Sequence, residues 1–230
     1  AFVVTAGNFQ PRIFSELLEA QRNAVALAVE TQHLEVNLLA HFRDLGGVLL
    51  RHARAAIAER LDAPAPSPST HAALAAPGAT FVTLTQQGEL RGCIGSLEPR
   101  RRLDVDVREN ALAAAFLDPR FAPLQRREFD AVVVEVSLLS RSEPLAFDDE
   151  PELLAQLVPG RDGLIIEHQG RRATFLPQVW DALPAPEDFL AALKRKAGLA
   201  ADRRSPGLTA RRYTVTKWTE AEFTFDEVQR

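Results

Sequence analysis

Thr80-Phe81-Val82-Thr83-Leu84-Thr85-Gln86-Gln87-Gly88-Glu89-Leu90-Arg91-Gly92-Cys93-Ile94-Gly95 is the stretch from which the fold reads most directly. Val82 and Leu84 alternate with Thr83 and Thr85, the period of a half-buried strand, and Gln86-Gln87-Gly88 supplies a turn. Glu89 to Gly95 then returns as the second strand of a hairpin, with the chain's single cysteine between two glycines. A second hairpin follows the same grammar, with Leu164 to His168 and Arg171 to Leu176 flanking Gln169-Gly170.

Outward from these hairpins the periods change. Arg102 to Leu117 carries Leu103, Val107, Ala111, Ala114 and Ala115 at steps of three and four, the mark of a helix, and Asp118-Pro119 ends it. Val132, Val133, Val134 and Val136 predict a central strand over Asp130 to Leu139, and Arg212 to Trp218 alternates strictly. Helices are expected at Pro151 to Leu157, Pro177 to Leu183 and Glu187 to Ala197. Upstream, amphipathic helices are expected from Pro11 to about Glu30 and again after Gly46-Gly47, while Val36 to Phe42 fits either helix or strand. Asp62 to Gly78, rich in proline and small residues, reads as a surface connection. Hairpins interleaved with helices, and no repeated strand-helix-strand unit, predict an α+β fold with a mainly antiparallel sheet flanked by helices.

Composition narrows the function classes. The chain has 230 residues, 46% hydrophobic and 25% charged, an ordinary globular balance, and its net charge of −4 provides no general attraction to nucleic acid or an anionic membrane. One cysteine excludes an intramolecular disulfide and suits a reducing cytosol, so a cytoplasmic protein is expected. No run has the length of a membrane helix, and Ala1-Phe2-Val3-Val4 is too short for a signal peptide. With no methionine anywhere, Ala1 is not expected to be the translation start.

The candidate chemistry centres on Cys93. Strand alternation would put Arg91 on the same face, where a guanidinium favours the thiolate needed in a nucleophile. The competing reading is a small core hydrophobe. Arg91-Gly92-x-x-Gly95-Ser96 suggests either an anion-binding nest or a simple turn. The histidines, at 33, 41, 52, 71 and 168, are scattered without ligand spacing, so no metal or cofactor is expected. Glu167 shares a face with Ile165 and is either a surface residue or a site carboxylate. Arginine doublets and the Arg100-Arg101-Arg102 triplet are read as solvated surface, with RNA binding as an alternative.

Five blocks occur in one order: Leu90-Arg91-Gly92-Cys93-Ile94-Gly95, Asp118-Pro119-Arg120-Phe121-x-Pro123-Leu124, Val136-Ser137-x-Leu139, Gly163-x-x-Ile166-Glu167, and Thr174-Phe175-Leu176-Pro177-Gln178-Val179-Trp180. With Lys196-Ala197-Gly198-Leu199 and Arg212-Tyr213 they resemble the AMMECR family, also called protein A of the AmmeMemoRadiSam system. The resemblance spans roughly Gly46 to Trp218. It implies two closely packed subdomains with a cleft between them, and the domain is expected over residues 45–226; residues 1–44 lie outside the resemblance and are expected to be an N-terminal helical extension. It implies a site made of Arg91, Gly92, Cys93 and Gly95, of Asp118, Arg120 and Phe121, and of Glu167, Thr174 and Pro177. In that reading Arg91 and Arg120 hold a small anionic or nucleotide-like ligand, Cys93 is nucleophile or redox-sensitive contact, and Glu167 transfers a proton. A Memo-like protein and a radical-SAM protein are the implied partners. The alternative to an enzyme is a non-catalytic interaction module.

Overall fold

The structure is a computed structural model and describes residues 43–67, 69–201 and 205–223. The chain divides into two units, Ala1–Asp44 and Leu45–Arg230, and the fold below is that of the second. The helix expected from Pro11 and the segment 36–42 lie outside the described residues.

Residues 43–60 are helical (α1). The expectation that this helix starts after Gly46-Gly47 is corrected, because it runs through both. A Cβ at Gly46 would stand 2.4 Å from the Trp218 ring, so this glycine admits an indole against the helix and does not end it. After a 3₁₀ turn at Ala72–Ala75 come β1 (Pro77–Gly78), β2 (Thr80–Gln86), β3 (Glu89–Gly95), β4 (Arg101–Arg102), α2 (Leu103–Phe116), α3 (Arg126–Phe129) and β5 (Val132–Leu139). The second half holds β6 (Glu143–Leu145), α4 (Glu150–Ala155), β7 (Gly163–His168), β8 (Arg171–Phe175), α5 (Pro186–Lys196), β9 (Thr209–Tyr213) and β10 (Val215–Thr219). Pro177–Asp181 is a 3₁₀ turn where a helix to Leu183 was expected. Trp180 is pinned there, its Nε1 donating to the Asp162 carbonyl at 2.7 Å and its ring stacked on Phe189.

The fold is α+β. Among the described residues every strand pairing is antiparallel, in two four-stranded sheets ordered β10-β5-β2-β3 and β6-β9-β7-β8 and a minor β1-β4 ladder. Pro77–Gly78, expected to be irregular, therefore joins a ladder with Arg101–Arg102. Both hairpin turns have positive φ at both central residues, Gln87-Gly88 and Gln169-Gly170, the backbone twist that matches paired strands. The sheets share two long threads. β5 leads into β6 and β10 follows β9, and at the bend the Ser140 amide donates to the Thr214 carbonyl at 2.9 Å while the Thr214 amide donates to the Ser140 hydroxyl at 3.0 Å.

Each sheet buries one face. Val82, Leu84, Val134 and Val136 of the first pack with Leu49 and Ile57 of α1 and Val107 and Ala111 of α2. Leu164 and Ile166 of the second pack with Leu153, Phe189 and Leu193 of α4 and α5. At roughly 1.5–3 kcal/mol for each fully buried large aliphatic or aromatic side chain, these two cores dominate the stability. A smaller joint of Ala79, Leu139, Ile165 and Tyr213, with Phe81, Leu176 and Val215 packed on it, connects them.

Candidate functional site

The Arg91–Gly95 motif lies on β3, an edge strand of its sheet. An edge strand exposes unpaired amides and carbonyls, and here the second sequence block covers them. Asp118 Oδ2 accepts the Cys93 amide at 2.9 Å, and Arg120 Nη2 donates to the Cys93 carbonyl at 3.2 Å. Asp118 and Arg120 are themselves joined by Nε–Oδ1 and Nη2–Oδ2 contacts of 2.9 and 2.7 Å. One carboxylate and one guanidinium thus stand in for a neighbouring strand at Cys93. The Arg120 hydrogen bonds, with the Cys93 amide, hold the buried Asp118 carboxyl well below the usual carboxylate range. Phe121 sits between two cations, its ring centroid 5.4 Å from the Arg120 guanidinium carbon and 6.0 Å from that of Arg91.

Arg91 departs from strand alternation. β2 and β3 pair Leu84 with Gly92 but Thr85 with Leu90, so Arg91 is the extra residue of a β-bulge. Its guanidinium reaches α3, where Nε meets Glu128 Oε1 at 3.0 Å and lowers the pKa of that carboxyl. The alternation expected to set Arg91 beside Cys93 is interrupted at this bulge, and the Arg91 guanidinium is engaged by Glu128. The half-buried Cys93 thiol instead accepts a hydrogen bond from Thr83 Oγ1 at 3.4 Å. Gly92 faces α2, and a Cβ there would be 2.2 Å from the Ala114 carbonyl oxygen; Gly95 lies under the Phe81 ring.

Beyond Gly95 a buried polar network forms that the motif reading missed. Asp106 Oδ2 accepts from the Thr80 amide, the Thr80 hydroxyl and Asn110 Nδ2 at 2.7, 2.7 and 2.9 Å. Its Oδ1 accepts from Ser96 Oγ at 2.8 Å and Arg101 Nε at 3.0 Å. Every acceptor direction of a carboxylate with almost no exposure is used, so its charge is compensated within the protein. The signal was present in the sequence: Asp106 and Asn110 fall among the apolar positions of α2, on its buried face.

This network forms one wall of a cavity of about 460 Å³, lined by Ser96, Leu97, Glu98, Arg100, Arg101, Asp106 and Arg172. Arg172 comes from β8, so the cavity is lined from both sheets' halves of the fold, beside the motif's C-terminal end.

The remaining predicted positions divide. Thr174 is buried where its Oγ1 donates to the Leu164 carbonyl at 2.8 Å and meets the Tyr213 hydroxyl at 3.0 Å. Pro177 opens the 3₁₀ turn. Glu167 is exposed on β7, paired in register with Arg172 and Thr209, and its carboxylate joins neither Cys93 nor Arg91. Hence Arg91, Cys93, Asp118, Arg120 and Phe121 form one cluster, while Thr174 fastens β7, β8 and β9 together. Among the described residues no group of three or more His, Cys, Asp or Glu is placed to hold a metal ion.

The AMMECR1 family model matches residues 50–218, which takes in both sheets and the whole cluster. The chain belongs to the AMMECR1 family. A relative from Thermofilum pendens is 38% identical over 204 residues, 80% of this chain and 94% of that protein. Another from Methanothermobacter thermautotrophicus is 43% identical over 127 residues, 53% of this chain and 64% of that one. The crystal structure of uncharacterized protein PH0010 from Pyrococcus horikoshii, 33% identical, superposes with a TM-score of 0.65 over 76% of this chain and 90% of that chain. Within this AMMECR1 domain no described helix is long and apolar enough to cross a membrane.

Proposed function

We propose that this AMMECR1-family protein binds a small anionic ligand in the cavity between its subdomains, at the C-terminal end of the Arg-Gly-Cys-Ile-Gly strand. The observation that carries the reading is the lining: Arg100, Arg101 and Arg172 converge on one 460 Å³ space beside Ser96, the residue that follows the motif. Guanidinium groups recognise planar or tetrahedral oxyanions by paired hydrogen bonds, so such a lining selects carboxylates and phosphates over neutral solutes. Arg91 and Arg120, the arginines of the two sequence blocks, are each closed on a carboxylate, and their part is to hold the strand that ends at the cavity.

Titrating the full chain with a panel of nucleotides and small carboxylates, followed by amide chemical shifts, tests the reading. Shifts should cluster at Ser96 to Arg101 and around Arg172; shifts confined elsewhere, or none, would reject it. Action alongside a Memo-like protein and a radical-SAM protein rests on the family resemblance, and co-purification of the three from one expressing cell tests it.

The interaction-module reading draws on a separate observation. Leu117, 74% exposed, directly precedes Asp118 at the capped edge, and Leu90 on β3 is also exposed. Leu117→Ser should leave folding intact and weaken partner capture if that edge is a contact surface.

A further inference from the structure

We infer that Glu98 is a resident competitor for the ligand, its carboxylate occupying the place of an anionic head group, so that binding exchanges one oxyanion for another. The inference rests on the anion-binding reading above. Glu98 Oε2 accepts from Arg100 Nε at 2.9 Å and Nη2 at 2.8 Å, and Oε1 accepts from Arg172 Nη1. These two guanidinia come from different elements, the loop before β4 and the strand β8, and Glu98 bridges them across the cavity they line.

The rest of the lining cannot play that part. Arg101 is committed to Asp106, to Ser96 at 3.2 Å and to Glu109. Asp106 is saturated by its five hydrogen bonds. Arg100 and Arg172 are the lining arginines that pair with Glu98. The bridge is wet: the side chains of Arg100, Arg172 and Glu98 are 80%, 39% and 33% exposed. Exposed ion pairs are weak because water screens them and long side chains must be held still, so Glu98 can swing into solvent at small cost. A ligand carrying a carboxylate or phosphate head group satisfies both arginines in its place, whereas a neutral or cationic ligand leaves the bridge closed. The substrate class is therefore an oxyacid whose head group spans two guanidinia.

The test uses the full chain with inorganic phosphate and with acetate as probes, read from the Nε–H signals of Arg100 and Arg172. Glu98→Gln and Glu98→Ala should each tighten the apparent Kd about three- to fivefold. Glu89→Gln, which removes the same charge from the exposed start of β3, should leave it unchanged, and Arg172→Gln in the Glu98→Gln background should abolish the gain. A larger gain for acetate or for phosphate identifies the preferred head group. Equal binding by the wild type and Glu98→Gln would overturn the competitor while keeping the site, and an equal gain from Glu89→Gln would reduce it to net charge. Absence of binding in every variant would overturn the site itself.

Discussion

Asp118 accepts the amide of Cys93 at 2.9 Å across a separation of 25 residues, and so pairs the family motif with the second block. The edge strand is closed by a side chain where a further strand could otherwise add. Asp118→Ala should cost about 1–3 kcal/mol in urea unfolding, because it strips a part-buried amide of its acceptor and leaves Arg120 with only a carbonyl. Asp118→Asn should recover part of this, since a carboxamide oxygen still accepts. Equal stability in all three proteins would show that the cap is dispensable.

Acid stability should carry the same signature. The Asp118 carboxyl is held low in the folded protein, so between its folded value and the ordinary value near 4 the unfolded chain binds the extra proton. Its contribution is present above about pH 4 and is lost as the pH falls through the folded value. The acid limb of a stability–pH curve should be shallower for Asp118→Asn than for wild type.

Alkaline unfolding has one clean reporter, since Tyr213 is the sole tyrosine. Burial pushes its hydroxyl from 10.0 up to about 12, with the Thr174 hydrogen bond acting the other way. From about pH 10 the unfolded chain loses the proton that the folded one keeps, so stability declines by roughly 2–3 kcal/mol until the folded group also ionises. Tyrosinate absorbance should rise only as the fold is lost or near pH 12. Tyr213→Phe should remove the alkaline slope while costing about 1 kcal/mol at neutral pH for its lost hydrogen bonds.

Gly92 tolerates no side chain. A Cβ would stand 2.2 Å from the Ala114 carbonyl oxygen, a backbone atom in the last turn of α2 that no rotamer change can move. Gly92→Ala should destabilise by about 3 kcal/mol or prevent soluble expression. A melting temperature within a degree of wild type would mean that α2 can shift away from β3.

The Cys93 thiol should alkylate with iodoacetamide no faster than glutathione at the same neutral pH. It is half-buried, accepts from Thr83, and the two nearby guanidinia, Arg91 and Arg120, are closed on Glu128 and Asp118. Because the chain has a single cysteine, mass spectrometry follows this group alone. Faster reaction than the free thiol would restore Cys93 as a nucleophile.

Much of the fold was legible because its signals are local. The hairpins at Gln87-Gly88 and Gln169-Gly170, the helix over Leu103–Phe116 and the valine-rich strand each follow from period and turn chemistry within one window. Gly46 was misread because its reason lies in Trp218, far along the chain. The bulge at Arg91 was not foreseen because alternation assumes an unbroken ladder, and a bulge is set by what the neighbouring strand demands. Asp106 and Asn110 were overlooked although their spacing put two polar residues on an otherwise apolar face, a pattern whose cost only a satisfied network offsets.

Sequence alone determined the α+β class, the antiparallel pairing and the family blocks, since these depend on residue order and short-range sterics. Tertiary structure alone decided which charge answers which. Arg91 went to Glu128, Arg120 to Asp118, and Arg172 crossed from the second sheet to Glu98. Ion pairing acts through space over a few ångströms and is indifferent to sequence separation, so the partners of those arginines became known only when the two sheets were folded together.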